Sequence, residues 1–456
     1  MPDLPADRVR AIESLVTDWL QEEDVPGASV VVFDADGERY AEGFGARNLE
    51  TNDPATPDTL YGMGSITKSV TGLVVVGMAE AGELSLSDPV DDYVDHYEDA
   101  PGDPITIAEL LSHTSGMPAT GTGILDQALR GTPAGVSDED DRKRYVRDAT
   151  ELRATDRERF MYYNTGYDIL GRVIEAVDGR DYAEYVREEV FEPLGMERST
   201  FHEAEFEGEE DAMTGYEPGE GPPEPAPFPF EELIHPSGGL VSSVRELSRF
   251  VRAAMNDGSL DGSRVVPSGT VERCLRERAV RRTCLDGRDQ GYGYGWMRQE
   301  MADDLEVGHG GSIVVSTAGA SYLQDAGLGV VVACNTTADP HPMELGRAVL
   351  AVAAGHPPTE EPTYAMKRRC EAVTGTYESY RGELTATVER DGGGLSVTME
   401  GSFGEEELTA FPASLSPDDH EFYTVFGDGA RALLEFDLDG DHADLFYTRA
   451  RLRRVE

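Results

Sequence analysis

Basic residues are scarce in this chain of 456 residues, in which 39 Lys and Arg stand against 88 Asp and Glu, a formal net charge of −49. This balance argues against nucleic-acid binding, because nucleic-acid-binding proteins need a basic surface. The acidic residues are spread along the whole chain, and long apolar segments with regular spacing argue against a disordered acidic protein. A pervasive acidic surface keeps halophilic proteins soluble at high salt. We therefore predict a halophilic source.

The chain also lacks long hydrophobic runs and has few cysteines. No run reaches the ~18 apolar residues of a membrane span, and residues 1–7 have no charged-then-apolar signal pattern. We therefore expect a soluble, cytoplasmic protein with no membrane partner. No group of His, Cys and carboxylate residues has the spacing of a metal site, so we expect no metal and no cofactor. We interpret the cysteines as thiols, with a disulfide between the first two as the less favoured alternative; they are Cys274, Cys284, Cys334 and Cys370.

Helical and alternating apolar patterns follow one another up to residue 355. Two strand-like runs, residues 28–33 and 38–43, flank an Asp-Ala-Asp-Gly turn and predict a hairpin. Helical spacing is found in residues 7–20, 108–111, 167–177, 247–255 and 345–354, and strand signals in residues 292–297, 313–316, 318–323 and 328–335. We predict a polar surface segment with broken helices over residues 120–158, and a long loop over the Glu- and Pro-rich residues 203–232.

The pattern changes after residue 363, where short alternating runs are separated by Asp-Gly turns. Repeated hairpins of this kind are typical of a small antiparallel barrel or sandwich. Residues 356–362 are rich in proline and predict a linker. The sequence thus predicts two domains, residues 1–358 and residues 363–456.

The tetrapeptide Ser65-Ile66-Thr67-Lys68 lies between a turn-like segment and an apolar run, Val70 to Met78. A helix that begins near Ser65 places Ser65 and Lys68 on one face, because residues three apart are neighbours on a helix. A serine becomes a nucleophile when a nearby base takes its proton, and Ser-x-x-Lys is a signature of serine acylation. The pattern is short, so its meaning depends on the other motifs of the chain.

Two further clusters accompany it: Phe-Met-Tyr-Tyr-Asn-Thr-Gly-Tyr at residues 160–167 and Gly-His-Gly-Gly-Ser at residues 308–312. In this order and at these separations, the three clusters resemble the serine β-lactamase-like hydrolases, a superfamily of class C β-lactamases, DD-peptidases, D-aminopeptidases and related esterases. The connecting segments 110–117, 193–196, 236–240 and 291–296 resemble it as well. The resemblance covers roughly residues 8–355.

The resemblance implies an α+β fold, with an antiparallel sheet flanked by helices, a mainly helical subdomain, and Ser65 in the cleft between them. Residues 363–456 resemble the barrels appended to the C-terminus of some members, and residues 375–377 resemble the start of such a domain. The resemblance implies one of three roles for this barrel: it caps the cleft, tunes specificity or supports a homo-oligomer.

Matched residue by residue, the resemblance implies that Ser65 is the nucleophile and Lys68 its partner. Tyr162 then acts as general base, either as a phenolate or in a proton relay with Lys68, and a positive neighbour is expected to lower its pKa. Tyr163 stands where the family has serine or glycine, and we favour a packing role for it over a role as the base. Asn164 is expected to bind the substrate amide or to orient Lys68.

The third motif is usually Lys-Thr-Gly or His-x-Gly, and here it begins at His309. The resemblance implies that Gly311 lets the strand approach the acyl group, and that the N–H groups of Ser65 and Ser312 form an oxyanion hole. Histidine carries a weaker, pH-dependent charge than lysine, so a substrate carboxylate is expected to be held less firmly. We interpret His113 as a structural residue in a turn beneath the site.

The sequence therefore predicts a serine hydrolase that cleaves an ester or amide bond of a small-molecule or peptide-like acyl substrate through a Ser65 acyl-enzyme. A β-lactamase and a D-amino-acid-specific peptidase are the alternative enzymes. The departures at Tyr163 and His309 leave open a third alternative, a catalytically weak binding protein of the same fold. An α/β-hydrolase is disfavoured, because Ser65 lacks the glycine two residues on that a nucleophile elbow requires.

Overall fold

The computed structural model describes residues 4–98, 100–118, 138–155, 159–218, 221, 223–285, 287–402, 404–440 and 442–455. The chain divides into two compact units, residues 1–283 with 289–355 and residues 284–288 with 356–456. The predicted surface segment, residues 120–158, lies partly outside the described residues; its described part contains a helix, Glu139–Ala149.

The first unit is built around one large antiparallel sheet. Its strands, with those of three small two-stranded sheets, are β1 Gly27–Asp34, β2 Gly37–Asn48, β3 Asp53–Pro54, β4 Tyr61–Gly62, β5 Gly215–Glu217, β6 Glu224–Ala226, β7 Val241–Ser242, β8 Ser259–Leu260, β9 Ser263–Arg264, β10 Ala279–Thr283, β11 Asp289–Tyr292, β12 Met297–Met301, β13 Asp304–Ser312, β14 Thr317–Leu323 and β15 Leu328–Cys334. The large sheet has the order β10-β11-β12-β13-β14-β15-β1-β2-β3, and β4 pairs with β7, β5 with β6 and β8 with β9. The strand β13, which carries the third motif, therefore lies near the middle of the sheet.

Helices cover the sheet and form the helical subdomain. They are α1 Ala6–Glu22, α2 Thr67–Ala81, α3 Ile107–Leu111, α4 Glu139–Ala149, α5 Asn164–Asp178, α6 Tyr182–Val186, α7 Glu192–Leu194, α8 Glu203–Glu207, α9 His235–Gly238, α10 Val244–Met255, α11 Thr270–Leu275 and α12 Pro342–Ala354. Short 3-10 or π turns are Gly64–Ile66, Val90–Asp92, Thr150–Leu152, Arg187–Phe191 and Glu232–Ile234. The expected fold class, a mixed α and β unit with a flanked antiparallel sheet, is confirmed.

The central strands are buried on both faces, as their continuous apolar sequences require. All eight residues of β1 and all seven of β15 are buried. Along β15, Val330 and Val332 lie beside Gly346 of α12, whereas Val331 and Ala333 belong to a core shared with α2 and α5. Helices therefore pack against both faces of the sheet.

The helix α2 is buried on every side from Thr67 to Met78. A helix that is apolar all round needs an interior position, and this one fits because its glycines allow close approach. A Cβ at Gly72 would lie 2.6 Å from the carbonyl oxygen of Tyr294. The sequence of α2 thus places Lys68, one of its few polar residues, inside the protein.

Most predicted elements of the first unit are present, and three predictions are wrong. The hairpin is β1–β2, and the expected helices are α1, α3, α5, α10 and α12. Residues 293–296 form a turn between β11 and β12, because Gly295 has a φ of +81° that glycine adopts freely. Residues 313–316 form the turn between β13 and β14, with Val314 at a φ of +54°. The predicted loop 203–232 contains α8 and the β5–β6 hairpin.

The second unit is a closed antiparallel barrel preceded by a helix, α13 Pro362–Val373. The barrel strands are β16 Gly375–Glu378, β17 Leu384–Asp391, β18 Gly394–Gly401, β19 Gly404–Pro412, β20 Glu421–Val425, β21 Arg431–Asp439, β22 His442–Tyr447 and β23 Ala450–Arg454, and short turns are Pro358–Glu360 and Tyr380–Gly382. Strand β23 pairs with β16 and closes the barrel. The expected all-β barrel is confirmed.

The sequence-based interpretation missed α13, although its signals are present. Glu361 caps the helix by accepting hydrogen bonds from two backbone N–H groups, and Pro362 occupies its first turn. Ala365, Arg369 and Val373 are buried at helical spacing. A buried arginine hides this pattern, because Arg369 lies over the ring of Phe422 inside the unit and counts as polar in a hydropathy pattern.

Candidate active site

Ser65 lies at the turn that opens α2. Gly64 has a φ of +50°, and the 3-10 turn Gly64–Ile66 leads directly into the helix. The hydroxyl of Thr67 donates a hydrogen bond to the carbonyl of Gly64 at 2.7 Å and accepts one from the N–H of Leu240 at 3.2 Å. These bonds fix the turn, so Ser65 is held partly exposed on an otherwise buried segment.

Lys68 is fully buried in the first turn of α2, three residues after Ser65. Its Nζ donates to Ser65 Oγ at 3.0 Å and to the carbonyl oxygen of Ser237, on α9, at 2.6 Å. Burial lowers the pKa of the Lys68 ammonium, and the carboxylate of Asp168 partly opposes this shift. A lysine with a lowered pKa is a competent base for a serine hydroxyl at this distance.

Tyr162 lies across the site from Lys68, with its ring centroid 5.1 Å from Lys68 Nζ. Tyr162 and Ser65 line the same cavity. The expectation that a positive neighbour lowers the pKa of Tyr162 is wrong: burial raises it above the ordinary value. Desolvation outweighs the nearby charges, so Tyr162 is a neutral phenol near neutral pH.

Tyr163 and Asn164 lie on either side of the start of α5. Tyr163 is buried in the core, where its hydroxyl accepts a hydrogen bond from Tyr97 at 3.2 Å, and the packing role is confirmed. Asn164 is the first residue of α5, and among the described residues its buried Oδ1 has no hydrogen-bond partner. An amide oxygen without a partner has the capacity to accept a further hydrogen bond.

His309 lies on β13 with both ring nitrogens engaged. Nδ1 is 2.6 Å from the carbonyl oxygen of Gly310, so it carries the proton, and Nε2 accepts from the Tyr292 hydroxyl at 3.0 Å. Burial, with Lys68 as a positive neighbour, lowers the pKa of His309 to about 3. The expectation that His309 carries a pH-dependent positive charge is therefore wrong near neutral pH, where its ring is neutral.

Gly311 brings the end of β13 against the turn that carries Ser65. A Cβ at this position would lie 2.0 Å from the carbonyl oxygen of Met63 and 2.8 Å from the amide nitrogen of Ser65. Only glycine permits this approach. The next residue, Ser312, is exposed at the strand end. Because Gly311 contacts the Ser65 turn, the backbones of Ser312 and Ser65 lie close together in the cavity wall.

A cavity of about 360 Å³ brings most of the expected residues together. Its lining residues include Ser65, Tyr162, His309, Gly311 and Ser312. Lys68 and Asn164 do not line the cavity. Lys68 is fully buried behind the residues that do. The volume suits a small-molecule or peptide-like ligand.

Sequence reasoning missed the residues that orient these groups. His341 donates from Nε2 to the carbonyl of Gly311 at 3.1 Å and caps α12 through its Nδ1, which accepts from the N–H of Met343 at 3.0 Å. It thereby ties the end of β13 to a helix. A His-Pro pair before an apolar helical pattern is a capping signal that was available in the sequence.

Two buried groups behind Lys68 and Tyr162 complete the site. Asp168, on α5, is buried, and burial raises its pKa. His113 has a φ of +57°, and its Nδ1 accepts from the N–H of Tyr163 at 3.0 Å, which holds the segment that carries Tyr162. This fits the structural role expected for His113; its ring also lies 4.2 Å from that of Tyr162.

The described residues contain neither a metal-binding cluster nor a membrane-spanning helix. No group of three or more His, Cys, Asp or Glu in that part of the chain is arranged to hold a metal ion. Nor does any described helix combine the length and apolar character that a membrane span needs. All four cysteines are free thiols.

Comparison with known proteins gives two family matches and several relatives. A family model described as beta-lactamase matches residues 12–354, and one described as Pab87 octamerisation domain matches residues 357–453. Penicillin-binding protein 4 of Amycolatopsis lactamdurans is 30% identical over 329 residues, covering 69% of this chain and 81% of that protein. Protein flp of Staphylococcus aureus strain MW2 is 29% identical over 259 residues, or 56% of this chain. The match spans 50% of the length of that staphylococcal relative.

The similarity to a solved structure extends over nearly the whole chain. The octameric penicillin-binding protein homologue from Pyrococcus abyssi matches with a TM-score of 0.88 at 33% identity, covering 98% of this chain and 100% of that one. The resemblance stated from the three sequence motifs is confirmed, because the family match includes all three. The chain therefore belongs to the β-lactamase family and carries a Pab87 octamerisation domain in its C-terminal part.

Proposed function

We propose that this protein is a serine hydrolase that cleaves an ester or amide bond through an acyl-enzyme on Ser65. The contact of 3.0 Å between the buried Lys68 Nζ and Ser65 Oγ, at the wall of a ligand-sized cavity, is the observation that carries the proposal. Membership of the β-lactamase family supports it, since that family is built on serine acylation.

In the proposed reaction Ser65 Oγ attacks the substrate carbonyl and its proton passes to the neutral amine of Lys68. The N–H groups of Ser65 and Ser312 hold the oxyanion of the tetrahedral intermediate. The phenol of Tyr162 gives its proton to the leaving group and regains one from the Lys68 ammonium. Water then attacks the acyl-enzyme, and the same groups pass its proton to Ser65 as the ester bond breaks.

The test is labelling with a fluorophosphonate probe together with turnover of p-nitrophenyl acetate. Wild-type protein is expected to label at one serine and to hydrolyse the ester, and Ser65→Ala to do neither. Lys68→Ala is expected to stay folded and to lose turnover. If Ser65→Ala still labels and turns over, the nucleophile is misassigned. A wild-type protein that neither labels nor turns over any ester would instead favour a non-catalytic binding protein.

A panel of substrates separates the enzyme classes that share this chemistry. We expect hydrolysis of simple esters and of peptide-like amides to exceed hydrolysis of a cephalosporin. A cephalosporin preferred over every ester would identify a β-lactamase, and D-amino-acid amides preferred over their L-enantiomers would identify a D-specific peptidase. Steady-state kcat/KM for each substrate gives the ranking.

We also propose two domains, residues 1–358 and 363–456, of which the second mediates self-association. The Pab87 octamerisation match and the octameric relative from Pyrococcus abyssi support this. A row of outward side chains on the barrel suits such a role: Phe411 pairs with Tyr423, which pairs with Leu433 on the next strand. Phe411 and Leu433 are 49% and 45% exposed, and exposed apolar rows of this kind favour association with another copy.

A further inference from the structure

A buried carboxylate, Asp168, lies behind Lys68 and is not used by the proposed reaction. It is on α5, four residues after Asn164, and is 1% exposed. The carbonyl oxygen of Ser237, on α9, accepts a hydrogen bond from Lys68 Nζ at 2.6 Å. The preceding residue of α9, Pro236, lines a small cavity together with Asp168. Buried charges in proteins are paired, so the Asp168 carboxylate requires a partner.

That small cavity has the size and the polar lining of a site for one water molecule. Its volume is about 10 Å³, close to the least that a water needs. Among the described residues, two buried atoms of its lining residues have no hydrogen-bond partner: Asp168 Oδ1 and Arg142 Nε. A buried water bonds to polar atoms of this kind. The cavity also reaches the exposed Glu232 and shares no lining residue with the Ser65 cavity, so a substrate bound there leaves it undisturbed.

Two arginines that line the small cavity with Asp168 each have a carboxylate partner of their own: Arg142 with Glu139, and Arg172 with Glu175 at 2.8 Å. Burial raises the pKa of Asp168, and the charges of these arginines and of Lys68 oppose this shift. The other titratable groups that line the cavity lie on α5, α6, α9 and the turn before α9; they are Glu175, Asp181, Tyr182, Glu232 and His235. Because the arginines are shared with other carboxylates, Lys68 is the cation that depends on Asp168.

The groups on the other sides of Lys68 are neutral near neutral pH. His113 and His309 act on Lys68 electrostatically, and burial lowers the pKa of both rings. The rings of Tyr162 and Tyr167 lie 5.1 and 5.7 Å from Lys68 Nζ, and burial raises the pKa of both phenols. Burial lowers the pKa of Lys68, and the carboxylate of Asp168 opposes that effect. The negative charge that acts on Lys68 therefore comes from behind the site.

We propose that Asp168 is a positioning residue that acts on Ser65 through Lys68, by stabilising the ammonium that Lys68 becomes when it takes the serine proton. This role rests on the proposed acyl-enzyme reaction. In that step the O–H bond of Ser65 breaks while Oγ bonds to the carbonyl carbon, and the proton moves with its positive charge to Lys68 Nζ. No proton moves to Asp168. An ammonium in a buried position is costly without an opposite charge, and the Asp168 carboxylate supplies that charge.

The test uses Asp168→Asn, which keeps the shape of the side chain and removes its charge. The second-order rate of fluorophosphonate labelling, measured against pH, reports the titration of Lys68 in the free enzyme. We expect the midpoint of this profile to fall by about 1–3 pH units in Asp168→Asn, which is the effect of losing a nearby opposite charge. Above the wild-type midpoint, the labelling rate is expected to fall by about 10- to 100-fold, because each pKa unit is a tenfold loss in the stability of the ammonium. Asp168→Glu keeps the charge and is expected to restore the wild-type midpoint.

Glu232→Gln is the matched control, since it removes the same charge from the exposed end of the same small cavity. It is expected to leave the midpoint and the labelling rate at their wild-type values. A lower labelling rate at every pH with an unchanged midpoint in Asp168→Asn would mean a merely structural role and would overturn the proposal. Equal shifts of the midpoint in Asp168→Asn and Glu232→Gln would overturn it as well. If circular dichroism shows that Asp168→Asn does not fold, the smaller Asp168→Ser replaces it, with the same expected shift.

A direct measurement of Lys68 separates this role from the proposed reaction. The chain contains three lysines, Lys68, Lys143 and Lys367, so magic-angle-spinning NMR of the sedimented protein, labelled with ¹⁵N at lysine Nζ, reads each one. Lys68→Ala identifies the Lys68 signal. We expect that signal to change from ammonium to amine at lower pH than the signal of Lys143, and at still lower pH in Asp168→Asn.

The two failures are distinguishable. If wild type neither labels nor hydrolyses an ester but Asp168→Asn shifts the NMR midpoint of Lys68, the reaction is wrong and the charge interaction between Asp168 and Lys68 stands. If wild type hydrolyses the ester and the NMR midpoint is the same in both proteins, the role of Asp168 is wrong and the reaction stands.

Discussion

Replacing Gly311 with alanine is expected to disable the site while leaving the protein folded. The added methyl carbon would lie 2.0 Å from the carbonyl oxygen of Met63 and 2.8 Å from the amide nitrogen of Ser65. Non-bonded contacts relax at about 3.5–4.0 Å, so the end of β13 must move away from the Ser65 turn by about 1.5–2 Å. This movement opens the gap between the two N–H groups of the proposed oxyanion hole.

The magnitude follows from how sharply an oxyanion hole depends on distance. Its donors act at about 2.7–3.1 Å from the oxyanion, and losing one costs about 10²–10³ in kcat. We therefore expect kcat for p-nitrophenyl acetate, and the rate of fluorophosphonate labelling, to fall by about 10²–10³ in Gly311→Ala. Overpacking of this kind costs about 1–3 kcal/mol of stability, which thermal unfolding monitored by circular dichroism measures directly.

Gly310→Ala is the matched control, because it adds the same methyl group to the opposite face of the same strand. Its nearest neighbours would be His341 Cε1 at 3.1 Å and Met343 Cβ at 3.3 Å, which small shifts relieve. Its loss of activity is expected to be far smaller than that of Gly311→Ala. A folded Gly311→Ala variant with kcat and labelling rate within about threefold of wild type would refute the reasoning, because one lost donor costs at least about 100-fold.

Three further predictions concern protonation, assembly and salt. Burial lowers the pKa of Lys68 from its ordinary 10.5. We therefore expect kcat/KM to rise with pH through that lowered pKa and to level off below pH 10.5. A kcat/KM that still rises at pH 10.5 would exclude Lys68 as the base. Phe411→Glu places a charge in the outward barrel row and is expected to give smaller assemblies by light scattering, with unchanged circular dichroism; an unchanged mass would exclude this row as the interface. With a net charge of −49, the melting temperature is expected to rise between about 0.1 and 1 M KCl, over which the Debye length falls from about 10 to 3 Å; a falling melting temperature would contradict the halophilic prediction.

Local patterns made part of this structure predictable. The Ser65–Lys68 contact depends on a spacing of three residues across the 3-10 turn Gly64–Ile66 and the start of α2, and any helical conformation brings residues at this spacing together. The β1–β2 hairpin depends on a turn between two strand-like runs, and the barrel on repeats of the same signal. In each of these cases the partners are close in sequence, so their types and spacing contain the information.

The rest depends on contacts between distant segments. Ser237 lies 169 residues from the Lys68 amine that it holds, and His341 lies 30 residues from Gly311. The place of Arg281 in the cavity wall follows from a register shift between two strands, which no property of Arg281 itself reveals. The expected charge states of Tyr162 and His309 were wrong because a pKa depends on how far burial removes the group from water. A sequence pattern does not show that burial.

The protonation states also bear on which of two base mechanisms the site favours. A Tyr162 phenolate needs a cation beside it, but burial lowers the pKa of Lys68 and raises that of Tyr162, so both groups are favoured as neutral. The carboxylate of Asp168, whose own pKa is raised by burial, opposes the shift of Lys68. A neutral amine at 3.0 Å from Ser65 Oγ accepts the serine proton directly, and a neutral phenol has a proton to donate. Within the proposed reaction, this balance favours Lys68 as the group that takes the proton and Tyr162 as the group that delivers one to the leaving group.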